Sequence, residues 1–263
     1  MISRIKNKLK RDGVFGFMVA VIKYPFQYQD RIAFREMLKL RTTKGRFEEI
    51  YKKNLWASAE SGSGEGSEIA YTAPLRCWLI ENLNTLNIKT FVDAPCGDFN
   101  WMKLVLPKVN INYIGLDIVE SVIRQNKLLY ASDHARFEVA DICEDSLPDC
   151  DIIMVRDCLI HLSYEDINRF LINLSKTNYK YLLTSTYLVD QNFQNSNIQT
   201  GDFRFIDLFR DPFFFDTTKV KARVDDFPEG MWKKREMILI EKEFVPTQVF
   251  SQTAQDHPIH APP

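Results

Sequence analysis

The sequence is poor in the residues that build metal sites and disulfide frameworks. Histidine occurs four times in 263 residues, and His257 and His260 both fall in the closing HPIHAPP. The five cysteines, Cys77, Cys96, Cys143, Cys150 and Cys158, are odd in number and contain no Cys-x-x-Cys pair. Neither a disulfide framework nor a structural zinc site is therefore expected, and a reducing compartment fits best. Long apolar runs are missing too. The longest near the start, residues 14–22, is too short to span a bilayer. It follows Arg4, Lys6, Lys8, Lys10 and Arg11, as the core of a secretory leader would, but the chain continues KYPF with no small-x-small cleavage site. The expectation is a cytoplasmic protein.

Apolar residues make up 45% and charged residues 26%, enough for a full hydrophobic core. The net charge of -1 conceals an asymmetry. Residues 1–53 hold fourteen Lys and Arg against five Asp and Glu, so the rest of the chain is acidic. A basic arm on an acidic body suits an anionic membrane surface or a nucleic acid, or simply docks on its own body.

Three regions are expected: a basic helical extension over 1–55, a main domain over 56–252 and a disordered tail over 253–263. Helices in the extension are expected to break near Pro25 and Gly45, with 31–40 amphipathic through Ile32, Met37 and Leu40. Residues 57–67, rich in Gly and Ser, read as a mobile loop. A helix is expected from Pro74 to Leu86. Strands and helices then alternate. KTFVDAP, INYIGLDI, ARFEVADI, CDIIMVRD and YKYLLTSTYL read as five strands, with ESVIRQNKLLYAS a helix and another opened by a Ser163–Asp166 capping box. Residues 189–230 form an irregular insertion on the substrate side, and WKKREMILIEKEF and TQVFSQT are candidates for the last two strands. The fold expected is α/β, a doubly wound, mostly parallel, seven-stranded Rossmann-like sheet with an N-terminal helical extension.

The ligand crevice of such a sheet lies at the carboxyl ends of its strands. After the first strand runs Asp93-Ala94-Pro95-Cys96-Gly97-Asp98. It has one glycine flanked by acids, and Gly-x-Gly-x-x-Gly is absent. Two carboxylates would repel the pyrophosphate of NAD and suit a cationic ligand such as S-adenosylmethionine, with its sulfonium and ammonium. Asp117 ends the second strand, twenty-four residues after Asp93, and Asp141 follows the third.

In these residues the chain resembles the class I S-adenosylmethionine-dependent methyltransferases, whose first motif is D-x-x-C/G-G. The segments NLWASAESGSGEGS, YTAPLR, DAPCGDFNWM, VRDCLIHLS and TGDFRFIDLFRDPF look like one bacterial subfamily, over residues 50 to 240. The resemblance implies that Asp117, with Ile118 beside it, binds the ribose. It gives the adenine amine to Asp141, with Ile142 lending its amide. Trp101 would pack by the adenosine, Arg76 would pair with the methionine carboxylate, and Arg156 would border cofactor and substrate. Cys96 reads as packing.

Methyl transfer requires alignment above all, and an alcohol acceptor also needs a base. His161, four residues after Asp157, is the histidine nearest the crevice. It is the candidate base, with Asp157 orienting it or touching substrate; the alternative is a histidine that satisfies backbone groups where a helix begins. Trp56, Tyr71, Arg204 and Arg210 are candidates for the acceptor pocket, while Phe213, Phe214 and Phe215 read as core. An Asn-Pro-Pro-Tyr motif of amino-group methylators is absent after the fourth strand. The expected reaction is O-methylation of a small molecule or glycan, a sugar or sugar phosphate. The alternatives are an RNA or protein methyltransferase, an NAD(P)-dependent oxidoreductase, and a noncatalytic binding protein of the same fold. Oligomeric state is left open.

Overall fold

The computed structural model describes residues 31–227 and 234–249. The basic run before residue 31, with its apolar 14–22 segment and Pro25, lies outside the described residues, as do 228–233 and the tail.

Seven strands form one sheet in the order β3-β2-β1-β4-β5-β7-β6. They are β1 (Thr90–Asp93), β2 (Asn112–Asp117), β3 (Ala135–Val139), β4 (Ile152–Val155), β5 (Tyr181–Leu188), β6 (Val220–Asp225) and β7 (Lys234–Glu241). β1 to β5 pair in parallel. β7 runs antiparallel to β5, and β6 antiparallel to β7. The direction of winding reverses between β1 and β4, which opens a crevice at their carboxyl ends.

The strands are apolar without alternation because both faces are covered. Phe91, Ile152 and Met154 belong to one core, whereas Val92, Ile153 and Val155 belong to the other. Four helices follow one described over 31–38 (α1): α2 (Thr43–Lys53), α3 (Ala73–Thr85), α4 (Glu120–Tyr130) and α5 (Tyr164–Lys176). α3 carries Leu75, Leu79 and Leu83 at four-residue spacing, all fully buried in the first core. α5 sends Ile167, Phe170, Leu171 and Leu174 into the second. Its start is capped by Ser163 Oγ, which accepts from the Asp166 amide at 3.1 Å.

Four local expectations need correction. Gly45 lies inside α2, and the break falls at 39–42, where Thr42 caps the helix by accepting from the Gly45 amide. In α1 only Met37 is buried, while Ile32 and Leu40 are exposed. The strand beside β7 is β6, from inside the segment read as irregular; the described part of TQVFSQT, 247–249, is not a strand. β6 is an edge strand whose apolar residues alternate with Lys221, Arg223 and Asp225, and such charge hides strand character. Residues 57–67 are not a mobile linker: Ser58 and Ser61 are buried and hydrogen-bonded.

Leu79 offers a test of the α3 packing. Leu79→Ala is expected to cost about 2–5 kcal/mol, read as a lower urea midpoint at unchanged slope.

Candidate functional site

A cavity of about 380 Å³ opens where the winding reverses. Asp93, Asp117 and Asp141 line it from the ends of β1, β2 and β3, together with Pro95, Cys96, Gly97, Trp101, Ile118 and Ile142. Asp93 is buried and accepts from Tyr113 Oη at 2.7 Å. Burial pushes its carboxyl up to about 7, with the Tyr113 bond pulling the other way. Asp117 Oδ2 accepts from the Gly97 amide at 3.1 Å and Oδ1 from the Val119 amide at 2.9 Å. Burial pushes it up to about 6 against those two bonds. Neither carboxylate has an ion-pair partner among the described residues. Asp141 Oδ1 accepts from the Cys143 amide at 2.9 Å. Burial also raises the Cys96 thiol well above its ordinary range, which suits packing.

Gly97 has φ 56°, and a methyl group added there would overlap Ser63 Oγ. Glycine is required on both counts. The close approach arises because the 57–67 loop folds down over the motif. Asp98 receives Ser61 Oγ at 2.9 Å, the Gly62 amide at 2.8 Å and Ser63 Oγ at 3.2 Å. Asn100 Nδ2 donates to Glu60 at 2.7 Å and to the Ser67 carbonyl at 3.1 Å. Glycines 64 and 66 of this loop line the cavity, as do Thr43, Phe47 and Tyr51 of α2. Residues on both sides of position 55 thus build one site.

At the ends of β4 and β7 lies a buried charge cluster. Arg156 Nε donates to Asp226 Oδ2 at 2.9 Å and Nη2 to Asp226 Oδ1 at 3.0 Å. Nη2 also reaches the Gly66 carbonyl at 2.6 Å, fastening the loop again. Arg235 pairs with Asp157 and sets Nη2 2.8 Å from Asp226 Oδ2. Arg156 Nη1 lies 3.5 Å from Asp157. Burial works against charge on Asp157, but Arg235 and Arg156 outweigh it and hold the carboxyl below its ordinary range. Two guanidiniums thus face two carboxylates.

His161 ends a 3-10 turn, Leu159–His161, and lines the cavity. Its Nδ1 lies 2.8 Å from the Asp202 carbonyl oxygen. A carbonyl only accepts, so Nδ1 carries the proton and neutral His161 presents a bare Nε2. Burial pulls this imidazole below the usual histidine range, against the Asp202 bond and the Asp157 charge. Segment 200–204 is stitched along the turn: Gly201 N donates to the His161 carbonyl at 2.8 Å and Arg204 N to the Ile160 carbonyl at 3.1 Å.

The cavity also brings together Trp56, Tyr71, Arg156, Asp157 and His161. Five sequence candidates stay out of its lining. Ala94 is buried in the strand ladder, its amide bonded to Met154. Asp98 holds the loop instead of facing the cavity. Arg76 turns back onto its own helix start, donating Nη2 to the Ile69 carbonyl at 2.7 Å and Nε to Thr72 at 3.2 Å. Arg204 is buried, donating to the Leu162 carbonyl at 2.6 Å with its guanidinium over Tyr164. Arg210 binds Asp207 at 2.8 Å and three backbone carbonyls. Of the three phenylalanines read as core, Phe213 and Phe215 are buried and Phe214 is exposed.

Sequence reasoning missed Asp226, behind the lining, and Arg235 and Tyr187 within it; it placed the aromatic segment 199–215 beside the crevice without singling out Phe203 and Phe205, which line the cavity. One signal was present: Arg235 stands just ahead of the apolar run 237–240 of β7, a place where an arginine needs a buried partner. Asp226→Ala leaves two buried arginines sharing one carboxylate. It should lower stability by about 3–5 kcal/mol, measured by chemical denaturation, while Asp225→Ala on the exposed side of β6 should not.

No protein-family model matches the chain, and no curated protein matches its sequence. Solved structures do match in fold. A 1,6-didemethyltoxoflavin-N1-methyltransferase from Burkholderia thailandensis, with bound 1,6-didemethyltoxoflavin and S-adenosylhomocysteine, is 13% identical at a TM-score of 0.57, covering 75% of this chain and 86% of its own. The N-methyltransferase NodS from Bradyrhizobium japonicum WM9, in complex with S-adenosylhomocysteine, is 12% identical at 0.53, covering 74% and 97%. Human N-acetylserotonin methyltransferase in complex with SAM is 13% identical at 0.48; the match covers 74% of this chain but only 56% of that one. With its seven strands in this order, the chain has the Rossmann-like fold of the class I methyltransferases.

Proposed function

We propose that the protein is an S-adenosylmethionine-dependent methyltransferase acting on an oxygen of a small-molecule or glycan hydroxyl. The observation that carries the cofactor is the pair of buried carboxylates, Asp93 and Asp117, facing the cavity with no ion-pair partner among the described residues, the Arg156 charge only partly offsetting the burial of Asp93. A buried acid with no cation is held at a cost, and an arriving positive charge relieves it. NAD would bring two further negative charges. The fold neighbours bound to S-adenosylhomocysteine support the same choice.

Asp117, with Ile118, would hold the ribose. Asp141 and the Ile142 amide would hold the adenine, and Asp93 with Gly97 would face the methionine end. Trp101, already under the Arg156 guanidinium at 5.4 Å, would flank the adenosine. Bound there, the cofactor would supply a methyl group on a sulfonium, with a neutral thioether as the leaving group. His161 Nε2 accepts the proton that the acceptor hydroxyl loses as its oxygen bonds the methyl carbon. The Asp202 carbonyl fixes the tautomer, and burial keeps the imidazole neutral and able to accept at pH 7. The 57–67 loop, held by Asp98, Asn100 and Arg156, excludes water above the reacting atoms.

Calorimetry tests the cofactor. S-adenosylhomocysteine should give binding heat and NAD none; silence with the former overturns the reading. The pH dependence has a definite sign. Burial pushes the Asp117 and Asp93 carboxyls up to about 6 and about 7. A cationic ligand prefers them ionised, so affinity should rise between pH 5.5 and 8 with release of protons. His161→Ala protein should keep this binding and lose about 10²–10⁴-fold in turnover, scored as transfer of labelled methyl. Equal turnover removes His161 from the mechanism.

A further inference from the structure

One wall of the cavity is a continuous run of rings. Trp56 meets His161 at 5.4 Å between centroids, and His161 meets Phe203 at 5.8 Å. Phe203 meets Phe205 at 5.3 Å, and Phe205 meets Tyr187 at 4.8 Å. All five line the cavity, and Phe203 is 45% exposed. A large ring left half in water beside a cavity is a contact surface in waiting.

The charged groups at the β4 end of the cavity are already engaged with one another. Asp157 is held by Arg235 and Arg156, and Arg235 by Asp157 and Asp226 while it lies over the Tyr71 ring at 4.9 Å. These two positive and two negative charges cancel, and the buried Arg204 guanidinium, which pairs with no carboxylate among the described residues, lies outside the cavity lining, on the Leu162 carbonyl and over the Tyr164 ring. His161 Nδ1 is taken by Asp202. A sugar needs many fixed donors and acceptors, each hydroxyl left bare in a dry site costing free energy. Rings with one free base at their centre meet a different need. The volume of about 380 Å³ is small for a site that must hold cofactor and acceptor together.

We propose that the acceptor half of this cavity takes a neutral, flat hydroxyaromatic molecule of one or two fused rings. Its ring lies against Trp56 and Phe203, and its hydroxyl faces His161 Nε2. This rests on the methyltransferase reading for the fate of the hydroxyl, but the slot itself binds whether or not cofactor is present.

The test uses 2-naphthol, 2-naphthoate and methyl α-glucopyranoside, titrated into the full chain with and without S-adenosylhomocysteine and followed by calorimetry and saturation-transfer NMR. Naphthol should bind about ten-fold or more tighter than naphthoate, and the glucoside should not bind. Phe203→Ala removes an exposed ring on which the core does not depend; it should weaken naphthol about ten-fold, as should Trp56→Ala. Glucoside or naphthoate binding as tightly as naphthol overturns the proposal, and so does naphthol binding that ignores both substitutions. S-adenosylhomocysteine in the same samples reads the cofactor half separately. Naphthol binding to a protein that gives no heat with S-adenosylhomocysteine supports the slot and overturns the methyltransferase reading. Binding of S-adenosylhomocysteine to a protein that does not bind naphthol supports the methyltransferase reading and overturns the slot.

Discussion

The buried arrangement of Arg156, Asp157, Asp226 and Arg235 is the constraint on which the site depends. It joins the end of β4 to the last hairpin and, through the Gly66 carbonyl, to the loop before α3. Four charges out of water are tolerated only when each is answered at close range. That requirement fixes where β6 ends and β7 begins. It also fixes Asp157, whose backbone sits at φ 52° with Gly66 so close that a side chain there would strike its carboxylate.

From this follows a division of charge along the cavity. At the β4 end the charges cancel. At the β1 and β2 ends Asp93 and Asp117 are buried, bonded to a phenol and to amides, and left without a base. One compartment thus favours positive charge and the other favours none. The same backbone geometry serves both, since each acid sits where a parallel strand ends and its chain turns over the crevice.

The parallel part of the fold was legible because its signals are local. β1, β2 and β4 are short, apolar and end in acids or an Arg-Asp pair, and the helix between β4 and β5 announces itself with Ser163. Cavity residues set by strand ends, Asp93, Asp117, Asp141 and Asp157, followed from the same pattern. What was not legible depends on distant pairing. Asp98 reads as a ligand-facing acid until Ser61, Gly62 and Ser63 are seen to occupy it. Arg76 and Arg204 read as anion-binding arginines until the carbonyls of Ile69 and Leu162 are found beside them. Asp226 and Arg235 gave no joint signal, because their ion pairs reach across the chain to Arg156 and Asp157. The edge strand β6 escaped because its charges look like a loop.

The placement of Arg235 has a consequence for the order in which the chain is made. Arg156 and Asp157 emerge early, yet their partners arrive only with β6 and β7, after all five parallel strands. In a chain that stops short of residue 235, the Asp98 and Asn100 bonds to the loop have all their partners, but Asp157 lacks its closest cation. The site is therefore finished last, by the hairpin at the sheet's far edge, and its integrity reports that translation has run through to that hairpin.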